Sequence, residues 1–513
     1  MKLRKWLVVM LSVMLVVLAA CSNSNPSGGN EGGGDKEGGA DLGKEVTLKI
    51  MLPGDRPQDL DKIVAAAEQK MKEDGLNYKL NFVFVPWADL ASKTQVTLTS
   101  GEEIDMIYDA PWLHINQMTS EGYYTDLTDL IKEHGQNILN AGSELIFEAN
   151  KFNGKMTAIP LGSKNGHANS IIIRKDIREE LGLEEVKTHE QFIEFLRAVK
   201  EKKPEIIPYS AWGVSPDLSY AGIRIENDYE AGFRVTPAFN RNFTLYLKGN
   251  EPTVYNLFDE MDPTIWSYIE LTRSMYQEGL INPDIMSSPD SKVMLKSGEI
   301  ASMTYTDFSM QQNTLRELQA NVPGADLEIF ELYKFEKNAN TSDYKQNDYL
   351  AIPKASKNPV DAIKFLNWAH EQDNYNLISF GIEGEHWEAV GDTQYKPLKD
   401  SYPWFGWSFL WAPKYHKFSA EFSPEDLAKN EFYYTAENFE KDVLTDFTFD
   451  TSPIANEIAQ FNSIDAKYYP LIMNGVVDPA EAWDKYKKEG EAVVKKIQNE
   501  LQAQIQTFLD GQK

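Results

Sequence analysis

From Glu45 onward the hydrophobic positions follow two alternating rhythms. Residues 46–52, VTLKIML, form a β-branched apolar run closed by Pro53-Gly54-Asp55, and they predict a strand. Leu60, Ile63, Val64, Ala67 and Met71 then recur at helical spacing, with Asp59 placed to cap the helix and Gly75 to stop it. Residues 80–85 predict a second strand, ended by Pro86-Trp87, and after a further helix residues 104–109 predict a third. Strand, helix, strand, helix, strand with short turns favours a largely parallel sheet, whose ligand crevice lies beyond the carboxyl ends of its strands. The residues that fall there are Gly54, Asp55 and Arg56, then Trp87, then Asp109, Ala110 and Trp112.

A second lobe is expected to begin near Phe152. Its first strand is marked by Ile171-Ile172-Ile173. Thr188 and Gln191 have the spacing of a capping box, ahead of an apolar helix face of Phe192, Phe195, Leu196 and Val199. Residues 209–213 predict a strand entering a loop that carries Trp212, and residues 263–278 a helix. Residues 298–305 predict a strand that opens into Thr306-Asp307-Phe308. The chain then returns: residues 349–353 read as a short strand, and Asn358 precedes Pro359 at the first position of a helix. Six aromatic residues crowd 402–411, where they either line a long subsite or pack the C-terminal helices onto the body. Residues 464–508 are helical in pattern.

Ahead of Glu45 neither rhythm holds. Lys2, Arg4 and Lys5 precede an apolar run from Trp6 to Ala20, the layout of a signal peptide. That run falls short of the roughly 20 apolar residues of a membrane span. Ser22 to Ala40 is Gly-, Ser- and acid-rich, and behaves as a flexible tether with a reach of about 25 Å. Leu18-Ala19-Ala20-Cys21 resembles a bacterial lipobox, which implies that the Cys21 thiol is lipidated and becomes the N-terminus.

Composition narrows the choices further. At 513 residues the chain is too large for one hydrophobic core. With 78 Asp+Glu against 51 Lys+Arg its formal net charge is −27, which argues against nucleic acid as a partner. Its single Cys excludes an intramolecular disulfide and a Cys-based zinc knuckle. The chain contains no H-E-x-x-H helix, G-x-S-x-G elbow, Walker loop or EF-hand spacing. No cofactor and no metal ligand set is expected from these motifs, while a calcium site built from Asp and Asn stays open in so acidic a chain.

Several passages resemble one family, the extracellular solute-binding proteins of ABC importers (family 1, carbohydrate type). Phe152-Asn153-Gly154-Lys155 through Ile159-Pro160, followed by Ile172-Ile173-Arg174-Lys175-Asp176, resembles its "Y/F-N-G-K-x-x-x-x-P … Y-x-x-D" passage. Glu185-Val186-Lys187-Thr188 with Gln191-Phe192 is similar to its "P-x-T-W-D-E-F" helix start, with Val186 and His189 in place of the usual Pro and Trp. Gly279-Leu280-Ile281-Asn282-Pro283-Asp284 resembles "E-G-L-I-x-P-D", and residues 352–384 resemble the family's late helix. Residues 449–475 resemble the C-terminal module of LipO- and LplA-type lipoproteins.

The resemblance implies an α/β, two-lobed, periplasmic-binding-protein-like fold of type II with a multi-segment hinge and a helical C-terminal module. It divides the chain into a signal peptide (1–20), a tether (21–43), a first lobe (44–160, with 350–400 returning to it), a second lobe (161–349) and the module (401–513) packing on the lobes. The implied crossings lie near 160–163 and 351–353, and 305–308 resembles the loop that places an aromatic against sugar. The implied function is capture of a carbohydrate, an oligosaccharide, for delivery to ABC permease subunits. The receptor would be a non-catalytic monomer, lipid-anchored at the outer face of the cell membrane of a Gram-positive cell. The rivals are a surface-anchored glycoside hydrolase or polysaccharide lyase, and a sugar-sensing lipoprotein. Sugars offer apolar C–H faces to aromatic rings and hydroxyls to polar groups. The candidate ligand-binding set is accordingly Asp55, Arg56, Trp87, Asp109, Trp112, Trp212, Tyr305, Asp307, Phe308 and Trp387. Any one Trp could serve packing instead, and any one Asp a helix cap.

Overall fold

The computed structural model describes residues 43–512 apart from 163–164, 166–168, 214, 240–241, 289, 308–311 and 404–407. The expected signal peptide, Cys21, most of the expected tether, Phe308, Trp404, Phe405 and Trp407 lie outside the described residues.

The first lobe is built on a five-stranded sheet in the order Tyr78–Val85, Val46–Pro53, Met106–Asp109, Tyr349–Ala351, Ala158–Pro160. The first three strands are parallel, and the returning strand Tyr349–Ala351 runs antiparallel to both its neighbours. Leu48, Ile50, Met51 and Leu52 are all buried, because helices cover both faces of a parallel sheet. Helix Leu60–Glu73 contributes Leu60, Ile63, Ala67 and Met71 to this core. Asp59 precedes that helix, but its carboxylate does not cap it. The carboxylate instead accepts from Ser401 Oγ at 2.5 Å and lies 3.2 Å from His386 Nε2, tying the returning chain to the lobe. Tyr402, Phe409 and Trp411 of the aromatic run belong to the same core, so these three pack the first lobe rather than the C-terminal helices.

The second lobe carries the antiparallel strands Leu327–Glu331, Ser170–Arg174 and Ser302–Tyr305, extended by single bridges from Ile207 to Ile300 and from Ser210 to Met303. Alternate residues of its central strand feed opposite cores. Ile171 and Ile173 pack with Phe192 and Phe195, whereas Ile172 packs with Leu295 and Leu318. The Thr188–Gln191 capping box forms at the start of helix His189–Lys202.

A third core was not legible in the pattern. Strands Phe233–Val235, Leu245–Lys248 and Tyr255–Asn256 pack on helices Ala455–Met473 and Pro479–Gly511 around Phe258, Phe461 and Tyr486. The C-terminal module is therefore assembled from two distant stretches of chain. Helix Pro263–Gln277 joins it to the second lobe, with Ile265 and Ile269 in one core and Met275 in the other. At Gly475 the backbone has φ +69°, and a Cβ would stand 2.6 Å from the Thr272 carbonyl oxygen, so only glycine allows this close approach.

The crossing segments run side by side. Leu161 N–H donates to the Asp348 carbonyl at 2.8 Å. The Asn150 amide donates to Tyr344 O at 3.0 Å and accepts from Gln346 N–H at 2.9 Å and from the Tyr349 hydroxyl.

Candidate functional site

The carboxyl ends of the parallel strands open onto a cleft of about 1450 Å³, walled by both lobes, the crossing segment 339–349 and the C-terminal module. Ligand pockets for small molecules run to roughly 300–1,000 Å³, so the space suits something larger.

On the first-lobe side two indoles form the rim. Trp87 opens helix Trp87–Ser100 directly after the strand Tyr78–Val85 and remains 42% exposed. Its ring centroid lies 6.1 Å from that of Trp112, tilted by 34°. Trp112 sits in the turn after Met106–Asp109, where its Nε1–H donates to the Asn347 carbonyl at 3.1 Å. That bond fixes an indole of the first lobe against the crossing segment.

On the second-lobe side Trp212 is partly exposed, and Tyr305, at 1% exposure, forms part of the floor. The Lys292 ammonium stands 5.7 Å from the Tyr305 ring centroid, a cation–π geometry, and burial pushes its pKa down. Asp307 uses its backbone carbonyl to accept from Ser170 Oγ at 2.5 Å. Glu226 ends helix Tyr220–Glu226 and accepts from the Asn169 amide at 2.5 Å. Burial, and then the negative charge of Asp217, push its carboxyl up to about 8, so at neutral pH it is predominantly protonated and able to donate a hydrogen bond.

Of the candidate residues, Trp87, Trp112, Trp212, Tyr305 and Asp307 line the cleft. Four others lie outside it. Asp55 is exposed outside the cleft, and Arg56 pairs with Asp61 at 2.5 Å on the solvent side. Asp109 is fully buried, accepting from the backbone N–H of Ala110 at 2.7 Å and of His114 at 3.0 Å and from the Tyr124 hydroxyl at 2.6 Å. It braces the loop that holds Trp112; burial pushes its pKa up to about 6 while its three donors favour the charged form. Trp387 is buried in the first lobe, its Nε1–H bonded to Gly381 O at 2.9 Å and its ring 5.4 Å from that of Phe380. Asn169, Glu226, Lys292 and Arg234 line the cleft without a sequence signal that marks them. Among the described residues no group of three His, Cys, Asp or Glu side chains could hold a metal ion.

Known proteins show the same organisation. Residues 54–374 match the family model of the bacterial extracellular solute-binding proteins, and residues 443–510 match a domain of unknown function (DUF3502). A carbohydrate ABC transporter substrate-binding protein of Streptococcus pneumoniae serotype 4 is 25% identical over 521 residues, covering 97% of this chain and 96% of that protein. Lipoprotein LipO of Bacillus subtilis is 25% identical over 75% of this chain and 74% of its own. The N-glycan transport solute-binding protein NgtS of Streptococcus pneumoniae, solved in complex with Man1GlcNAc, superposes with a TM-score of 0.70 at 20% identity, over 90% of this chain and 99% of that one. With the family model spanning more than half of the sequence, and two lobes facing each other across a cleft, the chain belongs to the bacterial extracellular solute-binding proteins.

Proposed function

We propose that the chain is the capture subunit of a carbohydrate ABC importer. It takes an oligosaccharide into the interlobe cleft and presents it to the membrane permease. The observation that carries the reading is the meeting of Trp87, Trp112 and Trp212 around a polar floor, since indole faces stack on sugar C–H faces while placed polar groups read hydroxyls. The carbohydrate substrate of the pneumococcal relative and the sugar bound to NgtS support it.

The charge balance favours a neutral glycan. Ten Asp and Glu against four Lys and Arg line the cleft among the described residues. Three of those cations are engaged: Lys151 with Glu148, Arg234 with Asp442, and Lys345 with the Phe447 carbonyl. A uronate would meet a negative wall with few cations to neutralise it. The protonated Glu226 is a hydrogen-bond donor to a sugar oxygen, and no step of bond cleavage is assigned to it.

In this reading Cys21 carries the lipid anchor and the protein acts as a monomer at the outer membrane face. The lipoprotein relative supports the anchor. Thermal-shift titration against neutral oligosaccharides, uronates and peptides tests the function. Saturable stabilisation by neutral oligosaccharides with no product after long incubation is expected. Product formation, or a response to peptides alone, would overturn it. A Cys21→Ser variant is expected in the medium rather than in the membrane fraction.

A further inference from the structure

The module over residues 443–510 matches a domain family of unknown function, yet part of it faces the cleft. Ala455, Asn456, Ala459 and Asn462 of helix Ala455–Met473 are exposed and line the cleft, at spacings that place them on one helical face. Phe461, Tyr469, Ile472 and Met473 on the same helix are buried in the module core. Ile458 also lines the cleft but is partly buried against the module core, so the exposed cleft-facing side is made of two small residues that leave room and two amides. Among the described residues neither the Asn456 nor the Asn462 side chain has a hydrogen-bond partner.

The cleft is lined as well by strand Phe233–Val235 and the residue after it. Arg234 pairs through Nη1 with Asp442, just ahead of the module, while its Nε and Nη2 are buried without a partner among the described residues. Thr236 is 1% exposed, and its hydroxyl also lacks a partner among the described residues. A buried donor left unmade is costly, so these groups are suited to receive a ligand rather than to hold the fold. A solvated helix would by itself explain two exposed asparagines. It does not explain a buried hydroxyl and guanidinium edge, unpartnered among the described residues, on two residues that line the same cavity.

We propose that the module forms a third wall of the cleft and binds the sugar units of a neutral glycan that extend beyond Trp87, Trp112 and Trp212. Amides, a hydroxyl and a guanidinium edge can each take sugar hydroxyls, and the small residues admit a pyranose close to the helix. The wall makes the receptor selective for glycan length. This inference rests on the carbohydrate reading.

The test is calorimetric titration of the full chain with neutral oligosaccharides graded from two sugars to six. The variants are the double substitution Asn456→Ala/Asn462→Ala and the obstructing Ala459→Trp, with Ala459→Ser as control. The longest bound glycans are expected to lose about tenfold or more in affinity in the double variant and in Ala459→Trp, while the shortest bound glycan changes less than about twofold. These positions are exposed, so the melting temperature of the empty protein should hold; if the bulky variant unfolds, the double variant decides. Unchanged affinity for long glycans in the double variant overturns the third wall and leaves the carbohydrate reading standing. Binding of no oligosaccharide at any length overturns both.

Discussion

Truncating Trp87 to Ala tests whether the first-lobe indole rim holds the ligand. The side chain is 42% exposed. An indole offers about 250 Å² at most, which leaves about 100 Å² open to a ligand. A sugar face that covers half of this buries about 50 Å², worth about 1.3 kcal/mol at about 25 cal/mol per Å². The dissociation constant should therefore rise about tenfold. The rest of the ring packs against Trp112, 6.1 Å away, so the empty protein should also lose about 1–3 kcal/mol of stability. Trp87→Phe separates the two effects, because a smaller ring keeps a stacking face and most of the contact; it should lose only about twofold to threefold in affinity. Calorimetry with a bound oligosaccharide gives the affinity, and denaturant unfolding gives the stability. An unchanged dissociation constant in Trp87→Ala would refute the assignment, whatever happens to stability.

Two further substitutions follow from the site's electrostatics. Glu226 titrates at about 8 in the folded chain against an ordinary 4.5, so the folded state keeps a proton that the unfolded state gives up between those values. Stability should then fall as pH rises through that window, by up to about 1.4 kcal/mol per unit, and Glu226→Gln should flatten the slope; melting curves from pH 5 to 8 that match the wild type would count against it. Asp109→Ala leaves the Tyr124 hydroxyl and the N–H groups of Ala110 and His114 unpaired, and should cost about 3 kcal/mol or more in urea unfolding. A fully stable Asp109→Ala protein with weakened ligand binding would return Asp109 to the ligand side.

Local pattern sufficed where one element buries one face. The strand at residues 46–52 and the helix face of Phe192, Phe195, Leu196 and Val199 form as their spacing predicts. It also placed Trp87, Trp112 and Trp212 in the cleft, because residues after strand ends in an α/β lobe face the ligand side. It failed where a side chain's partner is remote in sequence. Asp59 and Asn358 have the right type and position for helix caps, yet each bonds elsewhere: Asp59 with Ser401, and Asn358 through its amide to Asp105 at 3.1 Å. Asp109 follows a strand as a ligand-binding carboxylate would, but Tyr124 and two backbone donors enclose it. The strands between residues 233 and 256 are short, and their apolar residues find their partners on helices more than 200 residues later, so no window of sequence contains both halves of that core.

The same remote packing sets how the walls of the cleft can move. Helix Pro263–Gln277 gives one face to the second lobe's core and the other to the module's. The Arg273 guanidinium bonds the Gly475 and Val476 carbonyls at 2.8 and 3.0 Å, and the Asn474 amide bonds Gly213 O at 2.8 Å. Shifting the module against the second lobe would break both cores at once, since packed interfaces have discrete arrangements rather than a continuum. The crossing segments that join the first lobe are held by hydrogen bonds centred on Asn150 and by two small apolar clusters, Tyr344 with Ile146 and Ala149, and Tyr333 with Tyr433 and Phe439. A hinge at these crossings would divide the cleft into two bodies: the Trp87–Trp112 rim on one side, and Trp212 with the module's helix face on the other. A ligand shifts the hinge only by its difference in affinity between open and closed forms. A glycan that touches one body alone binds without that difference. One that spans from the indole rim to Trp212 or the module would gain contacts only on closure, and it is such a ligand that a hinge of this kind would couple to a closed state.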